Sequence, residues 1–325
     1  MFQNKLFRRI RVNGIVAVII SALFLGTACS GTSGTEGVTG DYEWNPYVWS
    51  ESLTKAYGES AKEATFNCIK AMMNGETSFD CPNEQDIPNI QSIAYIVCPY
   101  FFKITEGSVL PGNGKGIIEY TCSKEEAKKI IDDFAVSVKS VLDASIAKGD
   151  TDEIKAIMLH YNFSKTLDYD MVALEKDDVD ITPYRAVVER KGICQSFAMA
   201  LAHIYLQVGL DCNLAMGSSD MGPHMWVYME LNGEKIYIEP TWEDTHKGTG
   251  LSFFGIDTAF YIRNGYTVFS DLFMPDSSYN GNISTEKYKP LWEMKEITGI
   301  KRKSRKLVIS YIDASGKAAT FEVKK

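Results

Sequence analysis

The chain has 325 residues, 45% of them hydrophobic and 12% aromatic, and carries a formal net charge of −8. That length and composition are enough for a full hydrophobic core and about two domains, and exclude a disordered or repeat protein. The acidic balance argues against a nucleic-acid partner, which needs a basic surface.

Residues 1–28 combine a basic start (Lys5, Arg8, Arg9, Arg11), an apolar run from Ile15 to Leu25 and the small residues Gly26-Thr27-Ala28 before Cys29. This reads as a secretion signal, because the apolar run is shorter than the ~20 residues a spanning helix needs. Its end resembles the bacterial lipobox, although Gly26 stands where an aliphatic residue is usual. The resemblance implies a mature chain lipidated at Cys29, anchored to the cell membrane and extracytoplasmic. A simple cleaved signal or an uncleaved anchor helix is the alternative. Residues 29–45 read as a flexible tether, since SGTSGTEGVTG (residues 30–40) is too polar to bury. Loss of residues 1–28 removes four bases and no acids, which takes the net charge from −8 to −12.

Residues 46–122 read as an N-terminal α/β region. Ala61, Ala64, Ile69, Met72 and Met73 predict a helix over residues 50–74, followed by strand-rich stretches around Ile93 to Phe102 and Ile117 to Cys122. Residues 123–275 form the expected core. Ser123 and Glu126 spell a capping box for an amphipathic helix carrying Ile131, Phe134, Val138 and Leu142, ending near Gly149. A second helix from about Asp152 to Thr166 and a loop over 171–186 come next. Gly192 reads as a turn residue, and Phe197, Leu201, Ile204, Tyr205 and Val208 recur at helical spacing up to a stop at Gly209. A strand near Cys212 to Met216 and a loop from Gly217 to Pro223 lead into residues 224–231 and 234–241, which flank Asn232-Gly233, a strong two-residue hairpin signal. Residues 251–275 are rich in aromatics able to wall a substrate cleft. Residues 276–325 read as an accessory β segment, with short strands from Ile297 to Val323. The basic run from Lys301 to Lys306 reads as a solvated turn, or alternatively as a contact for anionic wall polymer or lipid.

Beyond Cys29 and Cys194 the cysteines are Cys68, Cys81, Cys98, Cys122 and Cys212, with no C-x-x-C spacing, so no zinc site is expected. An odd set cannot pair fully, and disulfides among the four N-terminal members stay open.

The chemistry converges on three residues. Cys194 falls in the first turn of its helix, where free N–H groups and the helix dipole favour an anion by roughly 0.3–1 kcal/mol and can hold a developing oxyanion. The Asn232-Gly233 turn sets Glu230 opposite Lys235, Tyr228 opposite Tyr237 and Trp226 opposite Glu239. His224 is then diagonal to Glu239, at ~7–8 Å between backbones, on the face turned away from Met225, Val227, Met229, Leu231, Ile236 and Ile238. A carboxylate in that place can hold an imidazole in the tautomer that a base needs.

These segments resemble the transglutaminase-like superfamily. Gly192-Ile193-Cys194-Gln195-Ser196-Phe197-Ala198 is similar to its G-x-C-x-[GS]-[YF]-A nucleophile segment, His224-Met225-Trp226 to H-A-W, and Tyr237 to Asp244 to Y-x-D-x-T-W-x-D. Ile157 to His160 and Leu167 to Asp170 resemble the helix and exit upstream. The resemblance implies an α+β fold with a transglutaminase-like (papain-like cysteine protease) core, the nucleophile helix packed on an antiparallel β-sheet. It also implies Cys194 as nucleophile, His224 as base and Glu239 as orienter. Glu239 departs from the usual Asp, and Asp244 is the second candidate acid. His160 reads as a packing residue, and His203 and His246 as structural or solvated.

The function these features imply is thiol-dependent acyl transfer on amide or peptide bonds by a membrane-anchored extracytoplasmic protein, hydrolysis ahead of cross-linking. Its partners would be a protein or peptide substrate, the membrane through the lipid anchor, and a cell-wall polymer. No residue demands a metal or organic cofactor. The alternative is a non-catalytic surface-binding or wall-organising lipoprotein with a degenerate site.

Overall fold

The computed structural model describes residues 42–325 apart from 106, 108 and 176–179. The signal, Cys29 and most of the tether lie outside the described residues. Helix α1 (Glu51–Asn74) begins where the Ser50 hydroxyl accepts the Leu53 N–H at 3.2 Å and ends at Gly75, whose φ of 65° is left-handed. Strands β1 (Ser78–Asp80), β2 (Val109–Pro111) and β3 (Lys115–Ile118) form a small antiparallel sheet in the order β1-β3-β2.

The stretch expected as strand around Ile93 to Phe102 is instead helical: α2 (Ile87–Val97) and α3 (Phe101–Thr105). Ile87, Ile90, Ile93, Ala94 and Val97 are all buried, at spacings of three and four, and Pro88 sits in the first turn where its missing N–H costs nothing. Because α2 packs between α1 and the Cys194 helix, it is apolar on more than one face, and a short apolar run does not show its period. Only the first part of the second expected stretch is strand, in β3.

Ser123 and Glu126 close the expected capping box at the start of α4 (Lys124–Ser145), and α5 (Asp152–Ser164) follows. The expected loop over 171–186 is partly ordered into α6 (Met171–Glu175) and α7 (Pro183–Val188), around the two-residue parallel pair β4 (Asp168–Tyr169) and β5 (Lys191–Gly192). Helix α8 (Cys194–Gln207) is buried along nearly its whole length and lies on β7 of a five-stranded sheet. That sheet comprises β6 (Asn213–Ser219), β7 (Gly222–Leu231), β8 (Glu234–Ile238), β9 (Phe254–Ile256) and β10 (Thr267–Leu272), ordered β10-β6-β7-β8-β9, every pair antiparallel. The fold is therefore α+β, with the Cys194 helix packed on an antiparallel sheet.

The Asn232-Gly233 turn has positive φ at both positions (54° and 81°), which gives the twist a two-residue hairpin needs. The pairs Tyr228–Tyr237, Glu230–Lys235 and Leu231–Glu234 form as the turn dictates. Met225, Val227, Met229, Leu231, Ile236 and Ile238 enter the main core with α8. The opposite face is covered as well: Trp226, Tyr228 and Tyr237 join Trp242 and Tyr261 in a second, aromatic core. The stretch from Gly217 to Pro223 is not a loop, since β6 and β7 pair out to Ser219–Gly222 and leave only Asp220 and Met221 in the turn.

The C-terminal segment is a three-stranded meander, β11 (Met294–Lys303), β12 (Lys306–Asp313) and β13 (Ala318–Lys324). Here the expectation of a solvated basic turn fails at Arg302. Its side chain is 6% exposed, with Nη2 2.9 Å from Asp150 Oδ2 and Nε 3.1 Å from the same oxygen, and Asp150 is fully buried. Asp150 also accepts the Ala147 N–H at 2.8 Å, so the ion pair fastens the meander to the α4–α5 turn. Arg302→Ala leaves that buried carboxylate with the Ala147 N–H and the more distant Lys325 Nζ, 3.6 Å away, as its partners, so the loss should approach but not exceed the about 3–5 kcal/mol of an uncompensated buried charge, and thermal denaturation should show it as a drop in Tm. An unchanged Tm would mean that water replaces the guanidinium.

A second stability prediction concerns His203, fully buried in α8 with Nδ1 2.7 Å from the Ile96 carbonyl. Burial pushes its pKa down to about 4, partly offset by that hydrogen bond. The unfolded histidine takes its proton near ~6.5, so the stability conferred is complete above that pH and falls away between ~6.5 and about 4, by roughly 3 kcal/mol. Urea denaturation at pH 7 and pH 4.5 should show this loss in the wild type and a smaller one in His203→Gln.

Candidate active site

Cys194 is the first residue of α8, after Ile193 in extended conformation. Ser196 locks this entry: its hydroxyl accepts the Ile193 N–H at 3.3 Å and donates to the Ile181 carbonyl at 2.7 Å. Gly192 belongs to β5 rather than to a turn. It is needed because a Cβ there would lie 2.7 Å from the Ser196 Cβ. Close approach of β5 to the helix thus aims the thiol out of the first turn, and Cys194 keeps 9% of its surface exposed.

His224 stands on β7 opposite Gly217, on the aromatic face of the sheet. Its Nε2 donates to Glu239 Oε2 at 2.5 Å, and its side chain lies near enough to that of Cys194 for the two to interact. With Nε2 committed to Glu239, Nδ1 is the nitrogen left for the sulfur. Trp242 stacks on the imidazole at 5.7 Å with an 11° interplanar angle, and Tyr266 lies 5.4 Å away. Burial pushes the His224 pKa down, but the charges of Glu239 and Cys194 and the hydrogen bonds to both outweigh it and hold it well above the usual histidine value. The imidazole is therefore biased toward its protonated form beside the sulfur.

Glu239 leaves β8 as the N-cap of α9 (Pro240–Thr245). Oε1 accepts the Thr241 N–H at 2.7 Å, while Oε2 accepts from both His224 and the Tyr261 hydroxyl, the latter at 3.1 Å. Tyr261 comes from α10 (Thr258–Arg263), which Asp257 caps. The longer side chain is thus absorbed: one oxygen caps a helix and the other reaches the imidazole. Tyr261 had no sequence signal beyond its place in an aromatic-rich stretch.

Asp244, the second candidate acid, does not reach His224. Its Oδ2 accepts the Tyr169 backbone N–H at 2.9 Å. That contact positions Tyr169, whose phenol oxygen lies against the Cys194 backbone N–H. Burial, followed by the charges of Cys194, Glu239 and Tyr266, pushes the Tyr169 pKa up, so the hydroxyl stays protonated and able to donate. Tyr169 lay within the quoted upstream segment, but nothing there marked it as part of the site.

His160 is a packing residue as expected. It is fully buried, with Nε2 3.2 Å from Glu243 and Nδ1 3.2 Å from the Ser164 hydroxyl. Glu243 also accepts the N–H groups of Gly250 and Phe253, both at 2.8 Å, which secures the loop whose Phe253 carbonyl takes the Glu239 N–H. His203 is structural, and His246 packs against Trp242 at 5.1 Å. Among the described residues no group of three or more His, Cys, Asp or Glu side chains is placed to hold a metal ion. Cys68, Cys81, Cys98, Cys122 and Cys212 are free thiols, as is Cys194.

No family model and no curated protein matches this chain. Among solved structures it is similar to a protein described as a TGase, with 17% identity and a TM-score of 0.30 over 42% of this chain and 44% of that one. It is also similar to Legionella pneumophila LapG. The calcium-bound form matches at 15% identity and a TM-score of 0.31, over 49% of this chain and 84% of LapG. The EGTA-treated form matches at 14% and 0.31, over 51% and 85%. The chain spans less than half the length of the TGase it matches.

Proposed function

We propose that this protein is a cysteine-dependent acyl-transfer enzyme acting on peptide or amide bonds, with hydrolysis as its main outcome. The observation that carries the proposal is the convergence of Cys194, His224 and Glu239, with Glu239 hydrogen-bonded to the imidazole and the imidazole beside the thiol. The sulfur attacks the carbonyl carbon, forming a C–S bond and moving a π pair onto oxygen. The Tyr169 hydroxyl, whose oxygen accepts from the Cys194 N–H, donates its own proton to that oxyanion. His224 passes its proton to the departing nitrogen as the C–N bond breaks, leaving a thioester and a neutral imidazole. Water then attacks the thioester carbonyl and gives a proton to His224, and the acid leaves as sulfur and imidazolium are restored. A primary amine in place of water would give cross-linking.

The proposal includes the setting: a mature chain held on the outer side of the cell membrane through lipidated Cys29, acting on protein or peptide substrates near wall polymer. Among the described residues no helix is long and apolar enough to cross a membrane. The binding-module alternative drew its support from Glu239 in place of Asp, and a carboxylate that reaches the imidazole gives it none.

The test is incubation of residues 29–325 with a mixed peptide pool, with and without a primary amine, read by mass spectrometry. New peptide termini that vanish in Cys194→Ala support hydrolysis, and amine-tagged products support transfer. No change in the pool alongside an unreactive Cys194 would refute the proposal.

A further inference from the structure

Three of the large apolar side chains left exposed lie close in the chain to residues that support the reactive pair. Met171 and Val172 are 63% and 49% exposed. They follow Asp170, whose N–H donates to the Gly192 carbonyl at 2.8 Å, so the chain delivers them beside the segment that enters the Cys194 helix. Met221 is 87% exposed in the turn of the β6–β7 hairpin, three residues ahead of His224, which lies on β7. Tyr266 is half-buried, with its ring against the imidazole. Met171 and Val172 thus adjoin the segment that enters the thiol's helix, while Met221 and Tyr266 adjoin the strand and the ring of the imidazole.

Exposed apolar side chains that cluster rather than scatter mark a binding surface. Their neighbours among the charged residues do not favour a charged ligand: Asp168 is spanned by Lys191 at 3.7 Å, and the Asp170 carboxylate is taken by Arg185 at 2.7 Å. The hairpin projects about 10 Å past His224 at ~3.3 Å per strand residue, the length of some three residues of extended substrate. A ligand that uses Met221 and the thiol together is therefore a chain several residues long.

We propose that Met171, Val172, Met221 and Tyr266 form an apolar substrate site straddling Cys194, and that the acyl donor is an extended polypeptide carrying large apolar side chains beside the scissile amide. This rests on the acyl-transfer reading and adds the substrate class to it.

The test uses the mature chain with peptidyl acyloxymethyl ketones that carry Leu-Phe, Gly-Gly or Asp-Glu before the reactive group. The rate of Cys194 modification is followed by intact mass, with iodoacetamide as a probe that needs no subsite. The Leu-Phe reagent should react about tenfold or more faster than the other two, and Met171→Ser and Met221→Ser should each erase most of that preference when every rate is divided by the same variant's iodoacetamide rate. Both residues are on the surface, so neither substitution should impair folding. Equal rates for the three reagents, a faster acidic reagent, or a preference untouched in both variants would overturn the substrate assignment while leaving the acyl-transfer reading intact. A wild-type Cys194 inert even to iodoacetamide would instead remove that reading, and this inference with it.

Discussion

His224→Ala should lower thiol-dependent peptide cleavage by about 10⁴-fold while leaving the fold in place, because one ring supplies both the positive charge beside the sulfur and the proton for the leaving nitrogen. The ring lies in the aromatic core next to Trp242 and Tyr266, so some loss of stability is expected, and circular dichroism should show unchanged secondary structure. The pH dependence follows from the raised His224 pKa. The imidazolium is present below that pKa and is lost as pH rises through it, so the alkaline limb of kcat should lie well above the ~6.5 of an ordinary histidine. A variant retaining more than a tenth of wild-type turnover would show that the ring has no part in the chemistry.

The second large effect is expected at Glu239. Although the resembling family places Asp there, Glu239→Asp should reduce turnover by about 10²-fold, since it withdraws the carboxylate by roughly one methylene and a displacement near 1 Å in a catalytic site has that consequence. One side chain here meets the Thr241 N–H, the Tyr261 hydroxyl and His224 at once, and a shorter one cannot keep all three. Glu239→Gln should be worse for catalysis and milder for the helix cap. It keeps an acceptor for Thr241 but removes the charge that raises the His224 pKa, so the alkaline limb should shift down. Tyr261→Phe separates the contributions, removing one donor while leaving the carboxylate charged. Kinetics on the three variants would contradict this account if Asp matched Glu in rate.

What was legible in the sequence was whatever local geometry fixes. Asn232-Gly233 permits one tight turn, and that turn determines which residues of β7 and β8 share a face, so the His224–Glu239 meeting followed from counting residues. Gly192 and the apolar periodicity placed Cys194 at a helix start for the same reason, although the glycine's role proved to be close packing rather than turning. Contacts between segments far apart in the chain were not legible. Asp244 reaches Tyr169 across 75 residues, and Tyr261 reaches Glu239 from a helix that approaches only after the aromatic core forms. Arg302 looked solvated because its neighbours are charged, yet its partner Asp150 lies 152 residues upstream. Helix α2 was misread for a different reason: a helix buried on several faces loses the amphipathic period by which it is recognised.

The imidazole of His224 acts on the sulfur of Cys194, and the rate of Cys194 carboxamidomethylation as a function of pH tests this most directly. Iodoacetamide should react readily with Cys194 at pH 6.5, where a thiol titrating near ~8.5 is about 99% protonated, and His224→Ala should move the profile toward that ordinary value. A wild-type profile centred near ~8.5, or one that His224→Ala leaves where it was, would contradict the account.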